Sequence, residues 1–212
     1  MKKIIASVLL MFAVGFAGNI SAQNDLKFSP GVHVGFSSMA TGYIFKSGLA
    51  SNSYNFYPPT TFSFLPVLGV KFDYQAAEIL SVGVGFTYQS LSATHNNNYY
   101  FDDFAQLGYY ENFTTKVTKM NFGVRSIITY INKDRFVLGS GLRVGMNLWS
   151  YSSTSSDPDY IDFMNTSYQK TGFTVQLIGA SFTYYFIESV GVFAEIGIGH
   201  PYYSTAGAVF RF

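Results

Sequence analysis

Residues 80–89 read Leu-Ser-Val-Gly-Val-Gly-Phe-Thr-Tyr-Gln, with Leu80, Val82, Val84, Phe86 and Tyr88 on one phase and Ser81, Gly83, Gly85, Thr87 and Gln89 on the other. Successive side chains of a strand point to opposite faces, so this stretch is a strand with one apolar face and one small or polar face. A helix advances about 100° per residue and would scatter the same side chains around its circumference, so no helical reading fits.

The same period recurs on both sides of it. Val32, Val34 and Phe36 oppose Gly31, His33, Gly35 and Ser37; Leu68, Val70, Phe72 and Tyr74 oppose Gly69, Lys71 and Asp73. Downstream, Met120, Phe122, Val124, Ile128 and Tyr130 oppose Lys119, Asn121, Gly123 and Arg125. Phe136, Leu138, Leu142, Val144, Met146 and Leu148 oppose Gly139, Gly141, Arg143, Gly145 and Asn147. A sixth strand offers Ile178, Ala180, Phe182, Tyr184 and Phe186, and its start near Phe173 and Val175 switches phase, as at a bulge or a strand end above a membrane. In the seventh, Val190, Val192, Ala194, Ile196 and Ile198 oppose Gly191, Phe193, Glu195 and Gly197. The chain closes on AGAVFRF, with Ala206, Ala208, Phe210 and Phe212 against Gly207, Val209 and Arg211.

Connections between these eight segments alternate in length. Gln75 to Ile79, Asn132 to Asp134 and Ile187 to Ser189 are tight turns. The stretches at about 41–64, 93–112 and 151–171 run to roughly twenty residues each and are rich in Asn, Ser and aromatics. Gly199 to Ser204 is a short last connection on the long-loop side. Short turns on one side and long loops on the other are the asymmetry of an up-and-down outer-membrane barrel with both termini in the periplasm.

Composition agrees. The chain is 19% aromatic and 12% charged, about half the usual charged fraction, so something other than charge covers its surface. Its start has Lys2 and Lys3, an apolar run from Ile4 to about Phe16 and a small-residue exit at Ala22, the pattern of a secretory signal peptide over 1–22 with the barrel domain over 23–212. Cysteine is absent, which excludes a disulfide framework and a lipid-attachment cysteine. Past the start no run reaches the length of a spanning helix. With 13 basic and 12 acidic residues, no nucleic-acid surface is expected. Tyr74, Tyr130, Phe136, Tyr184, Phe186 and Phe212 mark one membrane interface, and Tyr88, Trp149, Tyr151, Tyr202 and Tyr203 the other.

The chain from 23 to 212 therefore resembles the small eight-stranded outer-membrane barrels of the OmpA and OmpX type. Cleavage before Gln23, the start KFSPGVHVGF and the Gly-rich strands VGVGFTYQ and GLRVGMNL resemble, more narrowly, the PorT-like outer-membrane β-barrel family of Bacteroidetes. The resemblance implies location and fold and little mechanism. The terminal aromatics Phe210 and Phe212 resemble the signal read by the barrel-assembly machinery, the expected partner during biogenesis, and no peptidoglycan-binding domain of the OmpA kind is expected after the last strand.

Function is sparsely written. The inward phases collect His33 and the charged set Lys71, Asp73, Lys119, Arg125, Arg143, Glu195 and Arg211, expected to pair in a packed lumen, because eight strands leave an interior that side chains can fill. Its basic excess would suit an anion or, in a wider barrel, a narrow path for small solutes. Catalysis would have to come from His95 with Asp102 and Asp103, or His200 with Ser204, and neither pair sits in a nucleophile motif, so no enzyme is expected. Asp157, Asp159 and Asp162 lack the glycine and closing glutamate of a calcium loop, and the sequons at Asn112 and Asn165 carry little meaning in a bacterial chain, so neither metal nor cofactor is expected. The second long loop, with Tyr99, Tyr100, Phe101, Tyr109 and Tyr110, supplies a candidate contact surface for an extracellular ligand or protein, as do Tyr54, Phe56 and Tyr57 in the first. The expected protein is an outer-membrane monomer in contact with lipid, with a structural or binding role; a soluble lipocalin-type barrel is the alternative in which the apolar phases would face inward.

Overall fold

The structure, a computed structural model, describes residues 28–37, 39, 60–102, 107–133, 135–155 and 167–212, without the side chains of 60, 97–102 and 107–111. The expected signal peptide, the first long loop with its tyrosines, and Asp157, Asp159 and Asp162 lie outside the described residues.

Eight strands follow one another: β1 (Phe28–Phe36), β2 (Thr60–Ala77), β3 (Leu80–Asp102), β4 (Leu107–Lys133), β5 (Phe136–Ser155), β6 (Ser167–Ile187), β7 (Val190–Gly199) and β8 (Ser204–Phe210). Each pairs antiparallel with its sequence neighbours, and β1 pairs with β8 to close the barrel, which removes the sheet edges an open meander would leave. Closure continues past β8: Phe212 N donates to Phe28 O at 2.9 Å and Phe28 N to Phe212 O at 3.0 Å. The terminal aromatic segment is thus tied to the first strand by backbone bonds.

The two faces are inverted relative to a soluble protein. Val34, Val84, Phe122, Val124, Met146 and Leu177 stand exposed on the outer wall, and Ile198 is 77% exposed, whereas Lys71, Lys119, Arg125, Arg143, Gln176 and Glu195 are buried inside. Burying charge while exposing a continuous belt of Val, Ile, Leu and Phe is unfavourable in water and favourable in hydrocarbon. The lipocalin-type alternative fails here, because it requires the opposite polarity.

Strand six corrects the expected phase. Phe173, Val175 and Leu177 face outward, and Ile178 is fully buried in the lumen, so its expected outward placement is wrong. The ladder shifts by one residue between Ile178 and Ala180 against β7, and between Gly139 and Gly141 against β5. This bulge adds a residue to the period within the wall, not at a strand end, and returns Phe182, Tyr184 and Phe186 to the outer face.

The long connections are shorter than composition suggests. At the second, Tyr99 pairs with Tyr110, Tyr100 with Tyr109 and Phe101 with Gly108, so most of the expected loop is a continued hairpin. Tyr, Phe and Thr favour extended backbone, and two strands already in register extend their ladder with no further closure cost. Likewise β2 begins at Thr60, β5 runs to Ser155 and β6 begins at Ser167.

Candidate functional site

The lumen is layered, and its centre is Glu195 on β7. Lys71 of β2 places Nζ 3.1 Å from Glu195 Oε1 and 3.4 Å from Asp73 Oδ2. Arg125 of β4 donates from Nη2 to Glu195 Oε1 at 2.6 Å and from Nη1 to Oε2 at 3.2 Å, while its Nε lies 3.1 Å from Asp73 Oδ1. Ser181 Oγ and Tyr202 OH complete the shell, donating to Glu195 at 3.3 and 2.9 Å. Two cations thus meet two carboxylates, and the buried glutamate has donors on both oxygens. Such a cluster is tolerated in low dielectric because each charge has a partner and hydrogen bonds fill the remaining sites.

Above it, Arg143 is held by neutral groups. Its Nη2 donates to Gly85 O at 3.1 Å and to Asn121 Oδ1 at 2.7 Å, and Asn121 Nδ2 in turn reaches Asn147 Oδ1 at 2.9 Å and Thr174 Oγ1 at 3.0 Å. The guanidinium fits because a Cβ on Gly123 would stand 2.8 Å from Arg143 Nε, and one on Gly85 would stand 3.3 Å from its terminal nitrogens. These two inward glycines form its slot. Arg143 and Arg125 are cross-strand partners, yet they turn to different acceptors.

The outer end is capped by the β7–β8 turn. Gly199, at φ 111°, bends the chain inward; a Cβ there would collide with the Val175 carbonyl. Tyr202 drops into the lumen, 1% exposed, where Gln176 Nε2 donates to its carbonyl at 2.6 Å and His33 packs edge-on against its ring. Lys119 Nζ donates to His200 Nδ1 at 2.9 Å and lies 4.8 Å from the Trp149 ring centroid. Burial, and then the neighbouring Lys119, hold the His200 ring below its ordinary value of 6.5, which suits an imidazole that accepts from an ammonium. At the opposite end Tyr185, Phe193 and Val209 form an apolar layer, beyond which Arg211 stacks 4.1 Å from the Tyr185 ring and donates to Glu188 O.

Of the charged set expected in the lumen, the structure brings Lys71, Asp73, Arg125 and Glu195 together, sets Arg143 beside them among neutral acceptors, and places Lys119 at the outer mouth and Arg211 at the short-turn end. Tyr202 was expected in an interfacial girdle and is instead a lumen residue; Trp149, assigned to the same girdle, stands with its ring beside Lys119. Sequence reasoning missed Tyr202, Ser181 and Gln176 as lumen partners. The signal for Tyr202 was the run Gly199-His200-Pro201, which breaks the strand period just before it.

His200 is engaged by Lys119, and His95 lies against Phe113 with ring centroids 6.5 Å apart, while Asp103 and the side chain of Asp102 are outside the described residues. Among the described residues no three His, Asp or Glu side chains group as metal ligands would. For the contact residues Tyr99, Tyr100, Phe101, Tyr109 and Tyr110, the backbone hairpin is described and the side chains are not.

No family model matches the chain, and no curated protein matches it. Among solved structures, the attachment invasion locus protein Ail of Yersinia pestis is similar at 10% identity and a TM-score of 0.43, over 88% of this chain and 97% of Ail. The same protein in complex with the heparin analogue sucrose octasulfate gives 12% identity and 0.40, over 88% and 99%. The N-terminal β-barrel domain of Pseudomonas aeruginosa OprF gives 12% and 0.39, over 87% and 97%.

Proposed function

We propose that this chain is a bacterial outer-membrane barrel, of the PorT-like kind its sequence resembles, with termini and short turns in the periplasm. In this reading it has a structural or binding role exercised through its outer end, no chemistry of its own and no steady conductance. The observation that carries the reading is the inverted polarity of the wall: an exposed apolar belt around a buried ionic cluster. Lipid is then the first partner, and the assembly machinery that reads Phe210 and Phe212 the second.

Conduction is disfavoured because the lumen is filled in three consecutive layers: Arg143 over the Tyr202 ring, then Glu195 with Lys71 and Arg125, then Tyr185 with Phe193 and Val209. Two experiments test the proposal. The protein should fractionate with the outer membrane and show heat-modifiable mobility, and recovery from the soluble periplasm would contradict it. Purified protein in planar bilayers should give no stable current; single-channel steps that change with Arg143→Ala would favour the narrow-channel alternative.

A further inference from the structure

The barrel wall is uneven, and the unevenness creates an edge. β6 pairs with β5 from Ser167 onward, but pairs with β7 only from Gln176, opposite Gly199. Past that point β7 does not continue: Gly199 turns the chain into the lumen, and His200 N bonds back to Val175 O at 3.4 Å. Among the described residues, Ser167 to Thr174 therefore have a strand on one side only. Unpaired strand edges are ordinarily blunted by proline, a bulge or several charges. This one carries no proline, no register shift and a single charge, Lys170.

The geometry points to this edge as a docking site for an extended peptide that pairs antiparallel with Ser167–Thr174, taking the course β7 would follow if it were as long as β6. The inference rests on the proposed reading that this end projects from the membrane. A second copy in the same membrane does not supply this partner: the edge that runs the other way, β3 beyond its last pairing with β2 at His95, reads Asn-Asn-Asn-Tyr-Tyr-Phe-Asp over 96–102 and has no alternation of acidic and apolar residues.

Side-chain chemistry narrows the occupant further. Lys170 pairs with Trp149, and Trp149 with Lys119, so one face of the wall carries two ammonium groups and an indole in a row with no carboxylate among them. On the opposite face of β6, Phe173 is 74% exposed. A strand laid beside this edge would set acidic side chains towards Lys170 and apolar ones towards Phe173. The fitting partner is an extended segment that alternates acidic and apolar residues, bound through its backbone and selected by its two faces.

The test uses the full-length chain folded in bilayers and a labelled peptide of about ten residues alternating Glu and Val. Saturable binding is expected. N-methylation of the peptide's Glu amides or of its Val amides should differ sharply, one set abolishing binding and the other sparing it, because only alternate amides face the edge. Lys170→Glu should weaken binding about tenfold and turn the preference towards a peptide alternating Lys and Val. No binding to the folded barrel, equal binding by both N-methylated peptides, or indifference to Lys170→Glu would each overturn the site. Flotation of the same samples with vesicles reads the membrane placement separately, so failure of that reading is distinguishable from failure of the edge.

Discussion

Two arcs of one wall differ in height. β1, β7 and β8 have 9, 10 and 7 residues, whereas β2 to β6 run from 18 residues in β2 to 27 in β4. A tilted strand needs about 9–11 residues to cross a bilayer; β1 and β7 just reach this and β8 does so once its backbone pairing continues to Phe212, so on the proposed reading the short arc sets where the membrane lies. The tall arc must then project beyond it, and its excess is where the alternation of apolar and small residues gives way to Ser, Thr, Asn and Tyr. Glu195 of the short arc, gripping Lys71 and Arg125 of the tall arc, ties the two together across the lumen.

Cutting that tie is the largest way to break the comparison. Glu195→Gln leaves Lys71 and Arg125 with only Asp73 as counter-charge, and should cost about 3–5 kcal/mol in denaturant unfolding from bilayers. A loss below about 1 kcal/mol would mean that the arcs are held by the backbone ladder alone. Next is depth: Val124→Arg or Val84→Arg on the outer face should cost about 2–4 kcal/mol, and Thr171→Arg on the projecting part about 0–1. Equal penalties would place the whole tall arc in lipid, or none of it.

The smallest effect concerns the cap of the short arc. His200 in the folded protein titrates below 6.5, so the unfolded chain takes up the proton first. Stability from the Lys119–His200 contact is therefore complete above about pH 6.5 and declines as the pH falls below it. His200→Asn should flatten that pH dependence in thermal unfolding while leaving the barrel folded; an unchanged slope would assign the acid sensitivity to another group.

The sequence made the spanning wall legible because a period of two is a direct consequence of pleating: Val82, Val84 and Phe86 face out and Lys71, Arg125 and Glu195 face in, as their alternation requires. Where the period fails, so does the reading. Ile178 was misplaced because the bulge beside Gly179 inserts a residue that no composition change announces, and Tyr202 because a turn re-aims a side chain that looks interfacial. The height of the tall arc was hidden for a different reason. Polar, aromatic residues such as those from Ala93 to Asp102 suit a loop and a water-exposed hairpin equally well, and only the pairing partner decides between them.

Because the chain contains no cysteine, single substitutions give unambiguous labelling sites. The most direct test of a membrane-spanning wall with one projecting arc follows the outer face of β6 with a membrane-impermeant maleimide on the protein in bilayers. Leu177→Cys and Phe182→Cys should be protected, and Gln169→Cys and Thr171→Cys should label readily. Uniform labelling of all four positions would contradict the account, since it would mean that the apolar belt stands in water.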